Sequence, residues 1–133
     1  MGIELEQLAR RAVACKHWHW MPGMLAVHHQ DYGNNGLDGR VIEIDDKEGP
    51  MWIGCGDLYL PLFEGSWPDL SDPATLGCLL ALVRKQWGDG VYLLPDGGWY
   101  VKGARLKNGS TINLGICTKT QAEALVAALE VAF

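Results

Sequence analysis

The feature that most constrains this chain is the stretch of residues 71–88, which predicts one long amphipathic helix. Asp72 can accept hydrogen bonds from first-turn amides, and Pro73 suits the first helical position because no N–H donor is needed there. Gly88 suits the left-handed backbone that ends many helices. Apolar side chains recur at offsets of three and four, namely Leu76, Leu79, Leu80, Val83 and Trp87. An apolar stripe of this kind requires a second layer to pack on.

Two further segments predict helices at the ends of the chain. Residues 3–15 have acidic side chains early and basic side chains late, as the helix dipole favours. Thr120 and Glu123 form a capping box, the pattern that satisfies exposed N–H groups at a helix start. The apolar faces of these two helices are Leu5, Leu8 and Ala12 in the first, and Leu125, Ala128, Leu129 and Ala132 in the last.

Short apolar segments separated by turn residues predict β-strands between the helices. Residues 30–39 have turn chemistry throughout, so the segments on either side of them form a hairpin with a long loop. Pro61 restricts its segment to an edge strand, and Asn108-Gly109 is the strongest hairpin turn signal in the chain. The predicted strand segments are residues 24–28, 41–44, 51–62, 91–94, 99–102, 103–107 and 110–114.

The order of elements is α-β-β-(β)-α-β-β-β-α, which predicts an α+β fold. We expect a mostly antiparallel sheet of about five to six strands with three helices packed mainly on one face. No linker separates two apolar cores, and 133 residues suffice for one domain, so residues 1–133 are predicted to form a single domain.

Composition excludes several classes of function. A formal net charge of −5 argues against binding along long nucleic acids, which requires a strongly basic face. The longest apolar runs are too short to span a membrane, and no secretory signal is evident, so we expect a cytoplasmic protein without a membrane partner. The cysteines are far apart in sequence and form no CxxC pair, which predicts free thiols. They are Cys15, Cys55, Cys78 and Cys117.

The most informative cluster for function lies within residues 10–24, where the first helix must end. Aromatic rings beside cations suit a flat anionic ligand, because the rings stack on a base while the cations meet phosphate. The candidate ligand-binding residues are Arg11, Lys16, His17, Trp18, His19 and Trp20. In the alternative interpretation, both indoles pin the helix end to the core while the other side chains point to water. An extended backbone would place the two indoles on one face.

Other chemistries find less support in the sequence. Cys15, His17 and His19 alternate, but their spacing matches neither a structural nor a catalytic zinc site, so neither a metal nor a cofactor is predicted. No nucleophile elbow and no phosphate-binding glycine loop occurs, so no catalytic residue is assigned. An acid–base role for Asp69 and Asp72, beside the start of the central helix, stays open.

Three blocks resemble a group of small bacteriophage and prophage proteins. They are residues 8–24 (LARRAVACKHWHWMPGM), residues 70–88 (LSDPATLGCLLALVRKQWG) and residues 121–130 (QAEALVAALE). The resemblance implies a phage protein that acts in the cytoplasm of the bacterial host. It supplies no catalytic residues.

These observations lead to three functional hypotheses. The first is a phage counter-defence protein that sequesters a small anionic, nucleotide-like signalling ligand without turnover, as a homo-oligomer. The second is an inhibitor or adaptor that binds a host protein, with Trp52, Trp67 or the tryptophan cluster as interface anchors. The third is a small hydrolase of signalling nucleotides, although a non-enzymatic role fits the absence of catalytic motifs better.

Overall fold

The computed structural model describes residues 3–28, 37–53, 59–62, 64–88, 90–95, 97–105, 111–112 and 118–132. The three predicted helices are present as α1 (Ile3–Val13), α2 (Pro73–Trp87) and α3 (Gln121–Glu130). The predicted caps are confirmed, since the Asp72 carboxylate accepts from the Thr75 N–H and the Thr120 hydroxyl accepts from the Glu123 N–H.

Nine strands occur in the described part of the chain and confirm the α+β class. They are β1 (Leu25–His28), β2 (Leu37–Asp45), β3 (Gly49–Ile53), β4 (Tyr59–Pro61), β5 (Trp67–Pro68), β6 (Tyr92–Pro95), β7 (Trp99–Lys102), β8 (Ala104–Arg105) and β9 (Thr111–Ile112). An antiparallel five-stranded sheet has the order β4-β3-β2-β1-β5, while β6 pairs with β7 and β8 pairs with β9.

The sequence predicted one of the edge strands of this sheet and missed the other. Pro61 lies in the edge strand β4, as predicted, because an edge position needs no inward-facing N–H. β5 was not predicted, since two residues are too few to show an alternating pattern. The predicted Asn108-Gly109 turn lies outside the described residues, although the flanking strands β8 and β9 do pair.

The register of the five-stranded sheet divides its side chains between two faces. Val41, Trp52 and Leu60 are cross-strand partners, and such partners lie on the same face. Val41 and Trp52 are buried and Leu60 is half-buried, so we call this the inner face. Ile53 pairs with Arg40 and with Tyr59 on the opposite side, which we call the outer face.

One hydrophobic core joins the inner face to all three helices. Helix side chains in this core include Leu8 and Ala12 of α1, Leu79, Leu82 and Val83 of α2, and Leu125, Val126 and Leu129 of α3. The predicted packing of helices on one face is confirmed. The buried stripe of α2 also includes Thr75, whose hydroxyl accepts from the Leu25 N–H at 2.9 Å.

A polar junction fixes the start of α2 against the sheet. Arg40 of β2 donates to the Gly23 carbonyl at 2.9 Å and to both carboxylate oxygens of Asp72, at 2.5 and 3.3 Å. Asp72 also accepts from the Thr75 N–H at 3.0 Å and from its hydroxyl at 2.9 Å. One carboxylate therefore caps the helix and ties it to β2 and to the loop before β1.

The junction predicts a dependence of stability on pH. The Arg40 guanidinium, and then the Thr75 donors, lower the pKa of the Asp72 carboxyl below its ordinary value. The resulting stabilisation is present above the unfolded-state pKa of about 4 and is lost as the pH falls through the lower, folded-state pKa. We expect urea unfolding of Asp72→Asn and the parent protein to differ at neutral pH and to converge in acid. A constant difference across this range would contradict the assignment.

Candidate functional site

The two tryptophans of the predicted cluster lie against the core without being sealed inside it. Trp18 and Trp20 are half-buried and pack against core residues. Their rings meet edge to face, with centroids 5.4 Å apart and an interplanar angle of 82°. The indole N–H of Trp18 is buried without an acceptor in the part of the chain that the structure describes. Both indoles therefore hold the chain after α1 onto the body of the protein.

The other members of the cluster are spread around this pair. Lys16 and His19 are exposed, and His17 is half-buried. Arg10 lies over the ring of Trp67 at 4.6 Å from its centroid. Arg11 lies on α1 and forms an ion pair with Glu130 of α3, with N–O distances of 2.5 and 3.2 Å. The ion pair directs the Arg11 side chain toward α3.

A cavity of about 760 Å³ lies between α1, α3 and the segment that leads into α3. Sites for small molecules commonly have volumes of about 300–1,000 Å³, so the cavity can hold a ligand of nucleotide size. Its lining residues are Glu4, Leu5, Gln7, Leu8, Arg11, Gly97, Thr118, Lys119, Thr120 and Glu123. Arg11 is the member of the predicted site that reaches this cavity.

The cavity combines one apolar wall with charged and hydrogen-bonding groups. Leu5 and Leu8 of α1 supply the apolar wall. Arg11 and Lys119 are cations, while Glu4 and Glu123 supply carboxylates. The ion pair with Glu130 raises the pKa of Arg11, which therefore remains charged. Lys119 is exposed on the loop before α3, where its ammonium group can move toward a bound anion.

Local bonds hold the loop that carries Lys119. The Thr118 hydroxyl donates to the Thr120 carbonyl at 2.7 Å, and the Thr120 hydroxyl accepts from the Glu123 N–H at 3.1 Å. Trp99 and Thr118 exchange backbone hydrogen bonds of 2.8 and 3.1 Å, which ties the loop to β7. The cavity rim is therefore anchored on both sides of Lys119.

The thiols do not indicate reactive chemistry. Cys15 and Cys78 are free, as predicted, although they are half-buried and not fully buried, while Cys55 and Cys117 lie outside the described residues. Burial raises the pKa of both described thiols, so each remains protonated near neutral pH. Within the described ranges, no group of three His, Cys, Asp or Glu side chains could hold a metal ion.

Two proposed interface anchors are ruled out by burial. Trp52 is 1% exposed and Trp67 is 7% exposed, so neither can contact a partner without unfolding. That part of the adaptor hypothesis is wrong. Both indoles serve the core, where a large ring removes more apolar area from water than any other side chain.

Asp69 and Asp72, the two candidates for an acid–base role, both have structural roles. Asp69 accepts from the Ser71 N–H at 2.9 Å and from the Ser71 hydroxyl at 2.6 Å. Asp72 caps α2 and pairs with Arg40. Neither carboxylate lines the cavity.

Comparison of the chain with models of known protein families, with characterised proteins and with solved structures gives no match. The fold and the cavity therefore define only a class, an α+β protein with an open pocket between two helices. None of the described helices is both long enough and apolar enough to cross a lipid bilayer.

Sequence reasoning missed most of the cavity because its walls come from opposite ends of the chain. Gln7, Lys119 and Glu123 lie in no sequence motif for ligand binding. The capping box at Thr120 is accounted for by its role at the start of a helix. The contact between α1 and α3 creates the site, and no spacing within either helix encodes that contact.

Proposed function

We propose that this protein binds a small anionic, nucleotide-like ligand without turnover, in the cavity between α1 and α3. The observation that carries the proposal is the placement of Arg11 and Lys119 on one cavity that also has an apolar wall. This arrangement supports the ligand class inferred from the sequence and relocates the site from residues 16–20 to the α1–α3 cavity.

The lining matches the chemical parts of a nucleotide. A base can lie against Leu5 and Leu8, since its faces are apolar. The ribose hydroxyls or a base amine can donate to Glu4 or Glu123, because carboxylates accept hydrogen bonds. A phosphate can meet Arg11 and Lys119 through charge-assisted hydrogen bonds. The two carboxylates disfavour a highly charged ligand, so a ligand with one or two phosphates fits best.

Calorimetric titration with a panel of linear and cyclic mono- and dinucleotides tests the proposal. We expect one or more of these to bind, and we expect Lys119→Ala to weaken that binding by about tenfold through loss of a charge-assisted bond. Arg11→Gln should weaken it similarly. Lys85→Ala is the matched control, because Lys85 is an exposed cation of α2 that lies outside the cavity lining.

Two outcomes would count against the α1–α3 cavity. Equal binding by Lys119→Ala and the parent protein would remove the cavity from the proposal. Loss of binding in Lys16→Ala and Trp20→Ala, with Lys119→Ala unaffected, would return the site to residues 16–20. Chromatography of the recovered ligand distinguishes binding from hydrolysis, and nucleotide consumption would favour the hydrolase hypothesis.

The biological setting is part of the same proposal. The resemblance to phage proteins implies a protein that acts in the cytoplasm of the bacterial host, and sequestration of a signalling nucleotide there is our proposal by analogy with small phage proteins that counter host defences. A homo-oligomer is expected, and sedimentation at several protein concentrations measures it directly. Growth of a phage on a host that produces the protein, compared with a host that produces Lys119→Ala, would test the counter-defence role.

A further inference from the structure

The outer face of the five-stranded sheet exposes apolar side chains in two adjacent cross-strand rows. Arg40, Ile53 and Tyr59 form one row, in which Ile53 is 38% exposed and Tyr59 is 46% exposed. Glu43, Met51 and Pro61 form the next row on the same face, in which Glu43 and Pro61 are exposed and Met51 is buried. Ile53, Tyr59 and Pro61 are therefore exposed neighbours on β3 and β4, because adjacent strands lie only about 4.8 Å apart.

A bulge exposes a further apolar side chain of β2. The register shifts between Val41 and Glu43, so Ile42 is the extra residue, and it is 41% exposed. Bulges next to a paired row re-aim the side chain that they insert. We call Ile53, Tyr59 and Pro61, which the register places on the outer face, the outer sheet surface. Clusters of exposed apolar side chains on a sheet face commonly mark interaction sites.

The charge around the outer sheet surface is predominantly negative. Glu43 lies in the second row and is exposed, and Asp38 is exposed further along β2. The turn that joins β2 to β3 adds Asp45, Asp46 and Glu48 against a single cation, Lys47. Arg40 does not offset this charge, because its guanidinium pairs with Asp72.

Hydrogen bonds hold one carboxylate of this turn in place. One Asp45 carboxylate oxygen accepts from the Lys47 N–H at 2.8 Å and from the Glu48 N–H at 3.0 Å. Asp46, Lys47 and Glu48 are exposed around this bonded turn. The negative charge of the turn therefore lies where β2 ends and β3 begins, beyond the row that contains Glu43.

We propose that the outer sheet surface docks a segment of another protein that is both apolar and basic. Charge complementarity argues for this occupant, since Lys or Arg side chains on the partner would meet Glu43 and the β2–β3 turn while its apolar side chains cover Ile53 and Tyr59. A second copy of this chain is disfavoured, because a symmetric contact through this surface would bring the carboxylates of both copies together.

Titration with labelled amphipathic peptides tests the docking surface. A short synthetic peptide of Leu and Lys serves as the probe, and a peptide with Glu in place of Lys is the charge-reversed control. We expect saturable binding of the Lys peptide that weakens as salt is added. Ile53→Ser and Tyr59→Ser should each weaken it by about tenfold through loss of apolar contact.

Ile44→Ser is the matched control for the apolar substitutions. Ile44 is 49% exposed on β2, but it pairs with Pro50, which shares the inner face of Trp52. We expect this variant to bind like the parent protein, while Glu43→Gln binds more weakly. Circular dichroism checks that each variant is folded, which we expect because the altered side chains are partly exposed.

Three results would overturn the docking proposal. They are equal binding of the Glu and Lys peptides, unaltered binding by Ile53→Ser and Tyr59→Ser, and the absence of any binding by the Lys peptide. Sedimentation supplies a separate arm, since a dimer abolished by Ile53→Ser would instead assign the surface to a second copy. None of these results bears on nucleotide binding, because the outer sheet surface shares no residue with the cavity lining.

Discussion

Replacement of Trp87 with Ala is expected to lower the free energy of unfolding by about 3–5 kcal/mol. Trp87 lies in the last turn of α2 and is 8% exposed. Its indole N–H donates to the Ala128 carbonyl of α3 at 2.9 Å. The substitution leaves a large void and removes a donor from one of the last carbonyls of α3, which have no partner within the helix. Urea unfolding followed by circular dichroism measures the loss.

Trp87→Phe separates the two contributions of the Trp87 side chain. Phe retains most of the apolar volume but has no N–H, so we expect a loss of about 1–3 kcal/mol from the unsatisfied carbonyl and the smaller ring. Equal stability of Trp87→Ala and the parent protein would show that α2 and α3 do not pack through this residue. Because α3 supplies one wall of the cavity, nucleotide binding by Trp87→Ala should weaken as well.

The second large effect is expected at the junction between α2 and the sheet. Asp72→Ala should lower the free energy of unfolding by about 2–3 kcal/mol, since it removes a helix cap and the charged partner of Arg40. Part of the Arg40 side chain is open to water, which screens the pair and limits the loss. Unfolding by urea at neutral pH gives the value.

Asp69→Ala is the matched control for Asp72→Ala. Asp69 is also a carboxylate before α2, but within the described residues the hydrogen bonds that its side chain accepts come from Ser71. We expect its loss to cost less than about 1 kcal/mol, in keeping with a local turn contact. If the two variants lost equal stability, the junction with Arg40 would contribute nothing beyond local turn structure.

Local sequence determined the elements that depend on neighbouring residues. The offsets of apolar side chains, Pro73 and the two capping residues predicted α2 and α3, because those interactions are completed within one helical turn. Pro61 likewise predicted an edge strand. β5 escaped prediction because its pairing with β1 depends on a chain segment about forty residues away.

The candidate site was only partly accessible from the sequence. Arg11 was selected for its charge at the end of α1, and the structure places it on the cavity. The neighbouring residues 16–20 were selected by the same reasoning, yet the two indoles pack on the core and the cavity lies elsewhere. The residue types in a segment indicate which ligands its side chains can bind. They do not indicate which part of the folded surface forms a cavity.

The sequence by itself determined that this protein has three helices, two of them with N-caps, an antiparallel arrangement of strands and a cationic segment after the first helix. Only the tertiary structure decided that α1 meets α3 to enclose a cavity, that Trp52 and Trp67 are buried, and that Ile53 and Tyr59 face outward. The physical reason is that helix caps and turns arise from contacts close in sequence. A cavity or a sheet face arises from packing between segments whose separation along the chain leaves no local pattern.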